Sequence, residues 1–317
     1  MAAGARAQLI TALTSTNTLV TFNANAPGTI LSTVPVTGTP SNPAILGIDY
    51  RPSDGQLIGI DYTAFLGIGR VYAINAAGVA TNINTDLPFN LPGRFMIDFN
   101  PTANAARVII GAAANFNTNS RIPNGGTGAL VFDTAVTPSS AGIRATAYSR
   151  NNAGGGTNGA TTLYEIDGTS GNLVSQGSID FFTGNGTSPN SGTLTAFAAL
   201  SGVAASSVVG FDIFNAPGTA ATSQGDAYLA TASTLFTLDL STGVATPVGA
   251  IGTGLTIVDI AVVPVPEPVP VYTCVPTCCE YAAARSSVMT VSKLRAWSRS
   301  CCDATFLPPR VAKPVWT

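Results

Sequence analysis

The chain has 317 residues, of which 9% are charged, with 14 Lys and Arg against 16 Asp and Glu and no histidine. The missing imidazole excludes Ser-His-Asp and Cys-His catalysis and any His-ligated metal, and so few basic residues cannot neutralise many phosphates, which excludes a nucleic-acid partner. What remains, with 45% hydrophobic residues and 33 Gly, is a neutral globular all-β chain rather than a disordered one.

Residues 1–8 read MAAGARAQ, and Ala5-Arg6-Ala7 before Gln8 has the small-residue pattern of a signal-peptide cleavage site without the apolar stretch that precedes one. The segment is expected to be a signal-peptide remnant or a flexible N-terminus. From residue 9 to 264 the sequence repeats. A short apolar strand with Asp at its centre appears as Leu46-Gly-Ile-Asp49-Tyr-Arg-Pro52 and as Phe95-Met-Ile-Asp98-Phe-Asn-Pro101. It returns as Val209-Gly-Phe-Asp212-Ile-Phe214 and Ile257-Val-Asp259-Ile-Ala-Val262. The step from Asp49 to Asp98 is 49 residues, and a further 49 lands on Ala147 within Arg144-Ala-Thr-Ala-Tyr148, which lacks the acid. A second strand type follows at a distance: Val71-Tyr-Ala-Ile-Asn75, Leu163-Tyr-Glu-Ile-Asp167 and Leu235-Phe-Thr-Leu-Asp239. Two of these run into Gly/Ser/Thr turns, a hairpin pattern rather than a helical one.

Thr18-Leu-Val-Thr-Phe-Asn23 matches the second strand type with no first strand before it, whereas the Asp259 phrase is a first strand with nothing after it. Joined, the two ends complete one repeat. A single β-propeller of five four-stranded blades, closed by N- and C-terminal strands, meets this pattern, and its unit length of about 45–50 residues suits one blade. Closure also removes exposed sheet edges. The blades are expected at 45–90, 94–138, 143–200 and 207–250, with a closing blade from 256–264 plus 9–37. The third is lengthened by Gly/Asn-rich insertions at Asn151–Gly159 and Gly184–Gly192. The rivals are a β-sandwich and a six-bladed ring.

Residues 265–317 break with this composition. They carry all five cysteines, both tryptophans and both lysines, and have no run of about 18 apolar residues to span a membrane. Cys274, Cys278, Cys279, Cys301 and Cys302 lack paired zinc-ligand spacing. The tail is expected to be disordered. Val263-Pro-Val-Pro-Glu-Pro268 resembles the opening of a PEP-type (PEP-CTERM) C-terminal sorting signal of Gram-negative bacteria, so the tail is either a frame-shifted reading of a lost sorting helix or a genuine extension.

The repeated phrases, Gly47-Ile-Asp-Tyr-Arg-Pro-Ser-Asp-Gly-Gln-Leu-Ile-Gly-Ile60 and Leu235-Phe-Thr-Leu-Asp-Leu-Ser-Thr-Gly-Val-Ala-Thr-Pro-Val-Gly249, resemble those of an uncharacterised bacterial family, domain of unknown function 4394. The resemblance covers about residues 9–264. It implies a secreted, extracellular β-propeller and brings no activity and no catalytic residue.

Asp49, Asp98, Asp212 and Asp259 are the candidate metal ligands. If the first strand of each blade lines the channel, their carboxylates converge and could hold Ca²⁺, which takes 6–8 oxygens. The competing reading is that each Asp accepts hydrogen bonds from a turn or from the adjacent blade, since an element repeated in nearly every blade is more often architectural than catalytic. Asp167-Gly-Thr-Ser-Gly-Asn172 lacks the alternation of an EF-hand and is read as a hairpin turn, and Glu165 has no partner carboxylate for acid–base work. The expected function is non-catalytic binding of an extracellular glycan or surface protein, or self-association, at the cell surface. A metal-dependent propeller hydrolase or lyase and an extracellular filament subunit are the alternatives.

Overall fold

The computed structural model describes residues 8–40, 44–89, 93–111, 117–138, 142–152, 155, 159–215 and 223–264. All belong to the first of the two units into which the chain divides, Met1–Glu267. The expected signal remnant, apart from Gln8, and the tail of 265–317 with its cysteines lie outside the described residues.

The first three strands are β1 (Leu9–Thr14), β2 (Thr18–Asn23) and β3 (Ala26–Pro35). Blade I follows with β4 (Ile45–Tyr50), β5 (Leu57–Thr63), β6 (Ile68–Ile74), β7 (Ala80–Asn82) and a short β8 (Leu87–Pro88) that also pairs with β6. Blade II holds β9 (Arg94–Asn100), β10 (Ala105–Gly111), β11 (Asn117–Ile122) and β12 (Val131–Phe132). Blade III holds β13 (Ile143–Tyr148), β14 (Thr161–Asp167), β15 (Asn172–Phe181) and β16 (Leu194–Ala199). Blade IV holds β17 (Val208–Phe214), β18 (Asp226–Thr231), β19 (Thr234–Leu238) and β20 (Ala245–Ala250). The last strand, β21 (Ile257–Val262), pairs with β1, so blade V runs β21-β1-β2-β3.

Five antiparallel sheets thus form a five-bladed β-propeller. The first strands β4, β9, β13, β17 and β21 pack in succession, and β21 returns to β4 to close the ring. Both ends of the described chain meet in blade V. The β1–β21 register runs from Ile10 opposite Val262 to Thr14 opposite Ile257. It is extended by the Val263 amide on the Leu9 carbonyl (2.9 Å) and by Gln8 Nε2 on the Val263 carbonyl (2.7 Å).

One detail departs from the repeat pattern. Val71–Asn75 and Leu235–Asp239 begin on third strands, but Leu163–Asp167 lies on β14, the second strand of its blade. The same turn geometry serves both places: the Gly171 amide donates to the Asp167 carbonyl (2.9 Å) and the Gly243 amide to the Asp239 carbonyl (2.8 Å). The phrase encodes a strand and a tight turn, and does not encode its rank in the blade.

Apolar side chains alternate between the two faces of each inner strand and fill the seams between blades. Ile58, Ile60, Phe95 and Phe99 fill seam I/II, Phe22, Phe214 and Leu235 fill IV/V, and Leu13, Ile48 and Tyr72 fill V/I. Seam III/IV is packed by Tyr164, Phe211, Leu229 and their neighbours. Among the described residues, seam II/III holds only Met96, Ile109, Val136 and Ile143 as a buried apolar cluster.

Candidate functional site

The inner-strand phrase places its Asp at the axis, facing the next blade. Two of the four phrases carry Gly two residues earlier, and packing explains why. A Cβ on Gly210 would lie 2.7 Å from the Ile260 nitrogen, so only glycine lets β17 and β21 approach this closely. A Cβ on Gly47 would meet Ile97 Cγ2 at 3.2 Å. The close approach brings Asp212 and Asp49 within reach of neighbouring backbone, and Asp98 and Asp259 reach it with Met96 and Ile257 in the glycine position. Phe99 N–H of blade II donates to Asp49 Oδ2 (2.7 Å), and Tyr148 N–H of blade III donates to Asp98 Oδ1 (2.9 Å). Val262 N–H of blade V donates to Asp212 Oδ2 (2.6 Å), and Ile48 N–H of blade I donates to Asp259 Oδ2 (2.9 Å). Three of the four also use their other oxygen on the following amide of their own strand: Tyr50 to Asp49, Ile213 to Asp212 and Ile260 to Asp259. Four seams are therefore clasped by a carboxylate. The fifth, III/IV, has Ala147 in the clasp position, fully buried in the apolar cluster of that seam.

The structure also brings carboxylates together. One oxygen each of Asp49, Asp98 and Asp212 lie within 4.8 Å of one another, all three buried. Asp259 sits in the same ring, next to Asp212 in the sequence of clasps, and is no member of that triplet. Burial first, and then the Asp212 charge, hold the Asp49 pKa well above the usual carboxylate range. Burial, then the charges of Asp49 and Asp212, do the same to Asp98. Burial lifts Asp212 and Asp259 to about 7 each. A group this crowded and dry retains protons or recruits a cation near neutral pH.

Arg94 spans the ring at the end where the inner strands begin. It donates through Nε to the Arg144 carbonyl of blade III (2.9 Å). Its Nη2 donates to the Val209 carbonyl of blade IV and to the Val258 carbonyl of blade V (3.3 Å to the latter). One guanidinium from blade II thus ties three other blades and occupies that mouth of the axis.

A second polar centre lies off the axis in seam II/III. Arg107, 3% exposed, donates through Nη1 to Asn119 Oδ1 (2.6 Å) and Asp133 Oδ2 (2.8 Å), and through Nη2 to Asn190 Oδ1 (2.6 Å). Gln176 Nε2 joins by donating to Asn119 Oδ1 (3.1 Å) and the Pro189 carbonyl (2.7 Å). Glu165 faces the same seam. It is fully buried, and neither carboxyl oxygen has a hydrogen-bond partner among the described residues. Thr146, directly opposite across the β13–β14 pair, lies close enough to bias its titration without hydrogen-bond geometry. Burial pushes the Glu165 pKa up to about 8 against the pull of the Arg107 charge. Its strand is buried along its whole length rather than on alternate residues. Asp167, at the end of that strand, accepts from the amides of Gly142 and Thr169 and from Ser170 Oγ, so it closes a turn.

The described surface has an open cleft of about 610 Å³ at seam III/IV. Its lining includes Tyr164 and Phe197 of blade III and Asp226, Tyr228, Asp239 and Ser241 of blade IV. Phe197 is 41% exposed and stands edge-on to the buried Tyr164, ring centroids 5.8 Å apart. Asp239 Oδ1 holds the Ser241 amide (2.8 Å) and hydroxyl (2.6 Å), and Asp226 is exposed.

Sequence reasoning found all four axial Asp residues and missed Arg94, Arg107 and the cleft. A faint signal existed for the first: Arg94 stands four residues before Asp98, and Arg144 three before Ala147, within the same phrase. Of the cleft residues, Thr237, Leu238, Asp239, Leu240 and Ser241 lie in the Leu235–Gly249 phrase and Tyr164 in the Leu163–Asp167 phrase, but only the fold brings these together with Phe197 and Asp226.

The family model described as Domain of unknown function (DUF4394) matches residues 18–261. No curated protein shows a significant match to the sequence. Among solved structures, the chain is similar to a protein in the nidogen/laminin complex, at 9% identity and a TM-score of 0.44 over 81% of this chain and 98% of that one. It is also similar to a functionally unknown protein from Desulfotomaculum acetoxidans DSM 771 (16% identity, TM-score 0.42, 81% and 72% of the two chains). A gluconolactonase from Xanthomonas campestris matches at 13% identity and a TM-score of 0.39, over 80% and 82%. Likenesses with TM-scores this low carry no argument about activity.

Proposed function

The chain belongs to the DUF4394 family, and we propose that it is an exported, non-catalytic binding propeller whose outer surfaces take an extracellular glycan or surface protein while its axial carboxylates hold the ring together. The observation that carries this reading is the use of the carboxylates. Each of Asp49, Asp98, Asp212 and Asp259 accepts a backbone N–H from the adjacent blade, and Arg94 fills one mouth of the axis. General acid–base or nucleophilic work needs groups in different roles within reach of a substrate. Four carboxylates in one repeated role, three of them fully buried, do not meet that need. The small-residue N-terminal pattern and the Val263–Pro268 phrase support export.

A second reading has one observation in its favour. The three carboxylate oxygens within 4.8 Å are hard ligands of the kind Ca²⁺ takes, with backbone carbonyls completing the set. In that reading Asp49, Asp98 and Asp212, with Asp259 beside them, hold the ion and the axis is the place of metal-assisted hydrolysis or elimination. Thermal melting of the full chain in chelator and across a calcium titration separates the two. The binding reading expects the melting temperature to stay within about 1 °C. A rise that grows with free calcium, as mass action on a native-state site requires, overturns it in favour of the metal reading.

A further inference from the structure

We infer that the cleft between blades III and IV is a binding site for an uncharged oligosaccharide, an inference that rests on the binding reading above and gives it a place and a ligand class. The cleft has the makings of a sugar platform. Phe197 offers an exposed ring face on the outermost strand of blade III, fixed edge-on by Tyr164 beneath it. An aromatic ring of this kind gathers the C–H face of a pyranose, which is apolar, while hydroxyls around the sugar's rim seek acceptors. Those acceptors stand opposite, on blade IV. Asp226 presents an exposed carboxylate at the start of β18, and Asp239 Oδ2 has no hydrogen-bond partner among the described residues, because Oδ1 caps the Ser241 turn. Thr237, also in the lining, adds an exposed hydroxyl that donates as well as accepts. The floor is apolar and buried at Ala227, Leu238 and Leu240.

Charge selects within the sugars. The described lining contains two carboxylates and no Lys or Arg, and the nearby Arg150 is engaged by Asp180 at 2.7 Å, so uronates and sulfated sugars meet net repulsion, whereas neutral hydroxyls gain charge-assisted hydrogen bonds. The volume of about 610 Å³ falls within the ~300–1,000 Å³ of small-molecule sites, enough for a short oligosaccharide rather than a single ring. Seam III/IV is also the seam whose inner strand lacks an axial carboxylate, so the cleft is separate from the clasped ring in composition as well as position.

Isothermal titration of the full chain with cello-, manno- and chito-oligosaccharides, and with oligogalacturonate as the anionic counterpart, tests the inference. At least one neutral ligand is expected to bind and the uronate not. Phe197→Ala is expected to weaken binding by about tenfold or more, the equivalent of unstacking one aromatic face, with melting unchanged because the ring is already part-exposed. Asp226→Asn is expected to weaken binding less. Phe65→Ala, at a 96% exposed ring on the β5–β6 turn of blade I, should leave binding intact. Failure of every neutral sugar to bind, preference for the uronate, or binding untouched by both cleft variants overturns the inference. Binding untouched by the cleft variants would still leave the general binding reading standing. Cleavage of a sugar whose binding is lost in Phe197→Ala would do the reverse, keeping the cleft and removing the non-catalytic reading.

Discussion

Seams II/III and III/IV flank the same blade and are built on opposite principles. Seam III/IV buries a cluster of fifteen hydrophobic residues and has alanine where the other first strands carry Asp, whereas seam II/III buries a cluster of four and relies on Arg107, Asn119, Gln176, Asp133 and the Asp98 clasp. Each fully buried aliphatic or aromatic side chain contributes about 1.5–3 kcal/mol, so the apolar seam holds without a clasp. A polar seam stabilises little by area, and its value depends on every donor and acceptor being matched. Glu165 is the ionisable group that is not matched, and Gln176 Oε1 and Thr146 Oγ1 also lack a hydrogen-bond partner among the described residues. The contrast teaches that the repeated Asp is dispensable where a seam is apolar enough, although seams I/II, IV/V and V/I carry both a clasp and a large apolar cluster.

The largest expected effect sharpens that contrast through pH. Glu165 titrates near 4.5 in the unfolded chain and at about 8 in the fold. Between those values the unfolded state has released its proton and the native state has not, so stability falls as pH rises. The contribution is whole below about pH 4.5 and gone above about pH 8, amounting to about 4–5 kcal/mol at 1.36 kcal/mol per pH unit. Asp212 and Asp259, both lifted to about 7, add to the same trend. Chemical denaturation of Glu165→Gln is expected to match the parent near about pH 5 and to exceed it near about pH 9 by that amount. Equal pH slopes in parent and variant would show that Glu165 does find a partner, and seam II/III would lose its distinguishing defect.

Ala147→Asp, next in size, tries to impose a clasp on the apolar seam. By analogy with Phe99 after Asp98 and Tyr148 after Ala147, the counterpart donor is the Ile213 amide, already held by Asp212 Oδ1 at 2.6 Å. The new carboxyl would be buried with no donor, at a cost of about 3 kcal/mol that grows as pH rises. A variant as stable as the parent breaks the comparison, because it would mean that III/IV has room for a clasp and merely lacks one.

The smallest effect is that of Asp98→Ala, which leaves the Tyr148 amide without its acceptor. Destabilisation of about 1–3 kcal/mol is expected, measured in chelator both near pH 5, where the axial carboxyls hold their protons, and above about pH 7, where Asp212 and Asp259 release theirs. Asp98→Asn should recover most of it, since an amide oxygen accepts the same bond. A gain in stability for Asp98→Ala would instead place repulsion among Asp49, Asp98 and Asp212 ahead of the clasp.

Much of the ring was legible because propeller blades are local. The hairpins of one blade lie next to each other in sequence, and the orphan strand at each end, Thr18–Asn23 and Ile257–Val262, announces its missing complement. The axial Asp was legible as a repeated residue at a repeated spacing. Arg107 and Arg94 were not, because their partners are strangers in sequence. Arg107 meets Asn190 at a separation of 83 residues, and Arg94 meets Val258 at 164. The rank of Leu163–Asp167 was illegible for a different reason: a strand–turn phrase looks the same whether it opens on the second or the third strand, and only pairing with β13 decides.

The closure of blade V has a mechanical consequence. Strand β1 begins where its antiparallel partner β21 ends, with Ile10 opposite Val262, so the two ends of the ring leave side by side. Tension drawn apart through those ends would meet the β1–β21 ladder one rung at a time, from the Leu9–Val263 bond inward, instead of loading all its bonds in parallel as a sheared pair would. The propeller therefore opens like a zipper under a pull that separates its ends, and resists best when both ends are tethered on the same side and carry the load together.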